Sequence, residues 1–216
     1  MNRLFHLIPA KAHHATTMTT QPPAARRAPS TTTAAISAAK PPCTIHSTAI
    51  ISDRAQLIGT YQVTIGENVV IHPYARIRAE SGPVTIGALC TVSENAIVGL
   101  PPGVPSSEVV LERAVAVDSG AEVCAKSVGE GTEIGIGAKV GDGCVVGRYC
   151  RITPKEVLGS GTELGDYMVV FGDGEWRADK TMRESEEMRG IRMKGKQKEV
   201  ETLRRLIPNA AAKWTG

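Results

Sequence analysis

Aromatic residues are scarce in this chain. Phe, Tyr and Trp together make up 4% of 216 residues, with only two Phe and two Trp. A core so short of rings has to be filled by Val, Ile, Leu and Ala. No stretch approaches 18 continuous apolar residues, so nothing reads as a membrane-spanning helix. The five cysteines, Cys43, Cys90, Cys124, Cys144 and Cys150, contain no CxxC pair and make no even-numbered framework, which points to a reducing compartment. Histidine is confined to His6, His13, His14, His46 and His72. Acid is missing altogether from residues 1–43.

That last gap divides the chain by charge. Residues 1–43 carry +5, residues 44–172 carry −5 and residues 173–216 carry +3, which add to the net +3 of the whole. A mildly acidic centre argues against nucleic acid as a partner. The first segment is Ala, Thr, Ser and Pro with scattered base, too poor in apolar surface to offset its ordering entropy, and reads as a disordered basic tail. The same composition resembles a mitochondrial transit peptide, although "QPPAARRAP" is poor material for an amphipathic helix, and Met18 is a second candidate start.

The centre keeps a period of six. Val128, Ile134, Val140, Val146, Ile152, Leu158, Leu164 and Val170 follow one another at that step without a miss. Earlier come Ile45, Ile51, Leu57 and Val63, then Ile65, Ile71 and Ile77, then Ile86, Val92 and Val98, then Val117 and Val123. Gly often follows, as at Gly66, Gly87, Gly129 and Gly147, where it reads as a turn residue, and a small residue such as Ala55, Ala75, Ala96 or Cys144 stands four places on. Six is neither the period of a helix nor that of an alternating strand. It is the hexapeptide repeat of a parallel β-helix, three short strands to a triangular coil of about 18 residues. With coils stacked roughly 4.8 Å apart, the six or seven expected here stand about 30 Å tall.

The phase slips have local readings. "GLPPGVPSS", residues 99–107, is expected as an external loop, and "ESGP", residues 80–83, as a bulged corner. Glu156 falls on a small inward position, which predicts a register shift around "TPKEV". Residues 173–216 read as a charged linker, interrupted by Gly190 and Gly195, and a helix over about 196–207. Val200, Leu203 and Ile207 share a face of that helix, which is expected to dock on the flank of its own β-helix, with a partner's surface as the alternative.

Stacked coils host enzymes, and the residues limit which. A metal site needs three converging ligands. His46 and His72 both follow an aliphatic position directly, and their spacing puts them on different faces, so no metal site is expected. Acyl transfer needs one base, and His72 is the candidate, with Glu80 or Glu94 to orient it. The plainer reading makes His72 an exposed turn residue before a proline. Cys90, Cys144 and Cys150 fall on small inward positions as filler.

The block "VTIGENVVIHPYARIRAESGPVTIG", with "CVVGRYCRITPKEVLGSGTELGDYMVVFGDG" and "LRRLIPNAAAKW" further on, resembles the dynactin subunit 6 family over about residues 44–214. The loop at 99–107 is shorter than that family's first insertion, and residues 1–43 have no counterpart. The resemblance implies a left-handed β-helix, no catalysis, no metal and no cofactor. It implies pairing with dynactin subunit 5 beside the actin-related proteins of the pointed end, with dynein and cargo as indirect partners. The implied location is cytoplasmic and cytoskeletal, without insertion into a membrane. The outward residues of the matched block, His72, Tyr74, Arg76, Arg78 and Glu80, are the expected interface. Two alternatives stand beside it: a mitochondrial γ-carbonic-anhydrase-like protein, and a hexapeptide-repeat acyltransferase using His72.

Overall fold

The computed structural model of the chain describes residues 40–105 and 107–215. The basic tail expected over residues 1–43 lies, up to residue 39, outside the described residues, as do His6, His13, His14 and Met18. From Cys43 the chain winds through six complete coils and a partial seventh, and each complete coil gives one short strand to each of three parallel sheets.

The period of six is the geometry of these sheets. On the first face Ile45, Ile65, Ile86, Leu111, Val128, Val146 and Leu164 stand in register. On the second the ladder is Ile51, Ile71, Val92, Val117, Ile134, Ile152 and Val170. On the third it is Leu57, Ile77, Val98, Val123, Val140 and Leu158. Most of these side chains are fully buried, and each contributes roughly 1.5–3 kcal/mol of transfer free energy. Leu111 belongs to the first ladder although the loop before it hides its phase. Val63 points inward too, but pairs with Cys43 and Val84, two places ahead of the ladder residue Ile65.

Successive first-face ladder residues are 20, 21, 25, 17, 18 and 18 positions apart, whereas first to second and second to third are always six. All variation in coil length therefore falls at the corner joining the third face to the first. The segment after Val98 is held down there: Leu100 is buried, Ser81 Oγ donates to Pro101 O at 2.9 Å, and Ser107 N donates to Ser81 O.

The glycines that follow ladder residues were expected to supply turn conformations. At Gly129 and Gly147 the need is proximity instead. A Cβ on Gly129 would lie 2.6 Å from Gly147 C, and one on Gly147 2.5 Å from Asp166 N. The left-handed turn residue comes two places later, at Gly131 and at Tyr149, which adopts φ 53° despite its ring.

Glu156 keeps the register that the sequence was expected to break. It stands in a corner column otherwise made of Ala55, Ala75, Ala96, Ala121 and Ala138. Its carboxylate accepts from Gly174 N at 3.1 Å, a partner that exists because the last coil ends in a hairpin. That hairpin pairs Met168–Phe171 antiparallel with Glu175–Ala178.

Two helices follow, α1 (Lys180–Glu184) and α2 (Glu186–Leu206). The expected helix began near residue 196. The observed one runs through Gly190 and Gly195 because Ser185 caps it, accepting from Met188 N, and Glu186 and Glu187 suit its first turn. Helix α2 lies along the second face. Val200 is buried against Ile50, Val70, Leu89 and Ala114, with Met193, Leu203 and Ile207 beside it. Arg192 reaches Gly131 O, while Arg204 reaches Asn68 Oδ1 at 2.7 Å, so the helix carries the chain back toward the first coil. Asn209 and Ala210 then cover the outer edge of the second sheet at Ile51.

Candidate functional site

The corner between the second and third faces repeats one position in every coil, the residue after the second-face ladder residue. Ser52, His72, Ser93, Asp118, Gly135 and Thr153 occupy it in turn. The backbone binds this column together, with His72 N donating to Val92 O and Ser93 N to Val117 O.

His72 is not the exposed bump that its place before Pro73 implied. Its side chain is 12% exposed, and its Nδ1 lies 2.8 Å from Glu94 Oε1, one coil on. Ser119 Oγ, a further coil on, donates to Glu94 Oε2 at 3.3 Å. The hydrogen bond from His72 is the main reason the Glu94 carboxyl is held below its ordinary range, outweighing the opposing effect of partial burial. An ionised carboxylate only accepts, so the proton between the two belongs to Nδ1. In the neutral ring Nε2 then carries a lone pair. Of the two carboxylates that could orient His72, the fold selects Glu94. Glu80 follows the third-face strand Arg76–Ala79, at the next corner.

The other residues expected at an interface are spread along this side. Tyr74 shares the His72 corner in a left-handed conformation, φ 64°, and is exposed. The Arg54 guanidinium donates to its hydroxyl and lies 5.5 Å from its ring centre. Arg76 is exposed on the third face. Arg78, on the same face, is largely covered and pairs with Glu122 at 2.6 Å, so it is not a free outward cation. His46 stands at a different corner, against Thr48 Oγ1. Among the described residues no three His, Cys, Asp or Glu side chains converge to hold a metal ion. All five cysteines are free. Burial pushes the Cys90 thiol up to about 12, and its Sγ lies 2.9 Å from Glu112 O.

The sequence reading did not single out Ser119 or Asp118. Its own register contained the signal, since counting from His72 by ladder positions reaches Ser93 and then Asp118, with Ser119 beside it. Asp118 faces a recess between α2 and the second face. Burial is the first cause raising its carboxyl, and nearby Glu133 raises it further.

The fold defines a class, the parallel β-solenoid of hexapeptide repeats. In that class the chain is similar to a hexapeptide transferase family protein from Anaplasma phagocytophilum, with a TM-score of 0.62 at 20% identity over 76% of this chain and 91% of that one. It is also similar to a candidate acetyltransferase from Bacillus cereus, with a TM-score of 0.54 at 23% identity over 77% of this chain and 92% of that one. No protein-family model and no curated protein sequence matches it. At these identities the likeness establishes the fold.

These neighbours correct the family resemblance read from the sequence, because they are named as transferases and not as dynactin subunits. The non-catalytic scaffold falls with it, as do the pairing with dynactin subunit 5 and the actin-related, dynein and cargo partners. The physical reason lies in the matched block. Ile65, Ile71, Ile77 and Ile86 are ladder residues, and a Cβ on Gly66 would lie 2.9 Å from Ala88 N in the coil above. The motif records what stacking coils require, and a solenoid of any function meets that requirement.

Proposed function

We propose that this chain transfers an acyl group from a thioester to a hydroxyl or amine acceptor, with His72 as general base and Glu94 orienting it. The observation that carries the reading is the His72–Glu94–Ser119 chain of hydrogen bonds, which fixes the imidazole tautomer and leaves Nε2 available. In that role Nε2 accepts the O–H or N–H proton of the acceptor as its oxygen or nitrogen bonds to the thioester carbonyl carbon. Collapse of the tetrahedral adduct breaks the C–S bond, and the imidazolium returns the proton to the departing thiolate. The names of the two neighbouring structures support the same reaction class. In this reading a second copy of the chain faces His72 to complete the site, and a homotrimer is expected.

The test is release of free thiol from acetyl-coenzyme A in the presence of amine and sugar acceptors. The wild-type chain is expected to turn over, and His72→Ala to lose about 10²–10⁴-fold of the rate. An equal rate in His72→Ala, or no thiol release with any acceptor, would sink the reading. Sedimentation of the same sample reports the trimer.

A further inference from the structure

The recess under α2 has a volume of about 380 Å³ and a composition of its own. Small residues open it, Ala114, Ala116 and Gly131 on the coils and Gly195 on the helix. Gly195 is costly inside a helix, by about 1 kcal/mol relative to Ala. Nothing in the packing demands it, because a Cβ there would meet no atom within 4 Å.

Five charged side chains line the recess, and four of them pair off. Lys196, itself buried, donates to Thr91 Oγ1 at 2.6 Å and meets Glu199 at 3.2 Å. Arg192 meets Glu133 at 3.7 Å, and Arg151 from the adjoining surface meets the same carboxylate at 3.2 Å. Asp118 is left over. Among the described residues no donor reaches its carboxylate, and a half-buried carboxylate without a donor is costly. A second hollow, bordered by Gly135, Thr153 and Pro154, adjoins the first at Asp118 and Glu133 and extends it into a trench on the side of Asp118 away from His72. Two coils separate Asp118 from His72 in the same column, about 10 Å at the spacing of stacked strands.

We infer that this trench binds a protonated primary amine, with Asp118 as its counter-ion and Lys196 and Arg192 confining the ligand to one that carries no second cation beside them. The inference rests on the acyl-transfer reading only in making that amine part of the acceptor. An acceptor long enough to span the two coils between Asp118 and His72, about 10 Å, would then bring a second functional group of the same molecule to Nε2.

Calorimetric titration of the full chain with n-butylamine, against n-butanol as its uncharged isostere, tests the site. The amine is expected to bind saturably and the alcohol not. Asp118→Asn is expected to weaken amine binding at least tenfold, and Gly195→Leu, which fills the recess, to remove it. His72→Ala is expected to bind the amine as the wild type does. No saturable binding to the wild type overturns the site, and so does amine binding equal in Gly195→Leu or in Asp118→Asn. Thiol release separates the two ideas. Binding that depends on Asp118 without turnover leaves the site standing and removes the reaction, whereas turnover without amine binding does the reverse.

Discussion

Ile51 and Asn209 are joined across 158 positions of sequence, with Ile51 N donating to Asn209 Oδ1 at 3.1 Å. The same amide donates from Nδ2 to Ala49 O at 3.1 Å, and Ala210 N donates to Ile51 O at 2.8 Å. These bonds satisfy the outer edge of the second sheet, which would otherwise present unpaired groups to another chain. Asn209→Ala is expected to cost about 1–3 kcal/mol, since it strands a backbone N–H and a carbonyl together. Urea denaturation measures it. A change below a few tenths of a kcal/mol would show that the end segment contributes little.

The Glu94 pair gives a pH signature. Its carboxyl sits below the ordinary value when the chain is folded, chiefly through His72. The stabilisation is therefore complete above the unfolded value and fades as pH falls through the folded one. Glu94→Gln is expected to be less stable than wild type at pH 7, by roughly 0.5 kcal/mol or less for so exposed a group, with the difference shrinking as the pH falls below the ordinary carboxyl range. Melting temperatures of both proteins from pH 7 downward check the convergence. In the thiol-release assay the same change is expected to lower the rate about 10–100-fold by loosening the imidazole.

Asp118 predicts the opposite slope. Its carboxyl is raised by burial first and Glu133 second, with Glu199 adding, while Lys196 and Arg151 pull it back. A raised acid favours the fold below its unfolded value and loses that advantage as pH rises through the folded one. Asp118→Asn should then be the more stable protein at pH 7, by up to about 1 kcal/mol after solvent screening, with the gain vanishing in acid. A variant that melts lower than wild type at pH 7 would mean that the carboxylate is better solvated than its position implies.

Gly147→Ala tests the stacking geometry. The added methyl would meet Asp166 N at 2.5 Å, with the backbone of Gly165 at similar distance. The last two coils must separate or shift, which is expected to cost about 1–3 kcal/mol, in the range of overpacked sites. Gly161→Ala carries no such clash, since nothing lies within 4 Å, and its cost should be limited to the strain of φ 72°. Thermal melts of the two variants should rank in that order.

Much of the fold was legible because the interior repeats with one period. A reader who counts sixes from Val128 to Val170 has placed eight ladder residues correctly before any coordinate is known. Leu111 escaped because the preceding segment breaks the count, and the hairpin at Phe171 escaped because its turn, "FGDGE", sits where the repeat has stopped. The first half of α2 was hidden by Gly190 and Gly195, whose unfavourable propensity is outweighed by the Ser185 cap and by docking on the second face. The site was half visible. His72 stood out as a residue type, and Glu94 was one of two carboxylates offered to it. Choosing between them needed the register, which puts Glu94 one coil up at the same corner and Glu80 at another. Asp118 carried no local motif, and only the closing of α2 over the second face distinguishes it from any surface acid.

The uneven coil lengths have a further meaning. Two of the three corners never change their count, and the candidate site stands on one of them. The third corner takes anything from one residue fewer to seven more than the 18-residue coil without disturbing a single ladder pairing. It behaves as a free port in an otherwise fixed lattice. New segments can be grafted there, by evolution or by hand, while His72, Glu94 and Ser119 keep their distances, so recognition and chemistry can be altered independently.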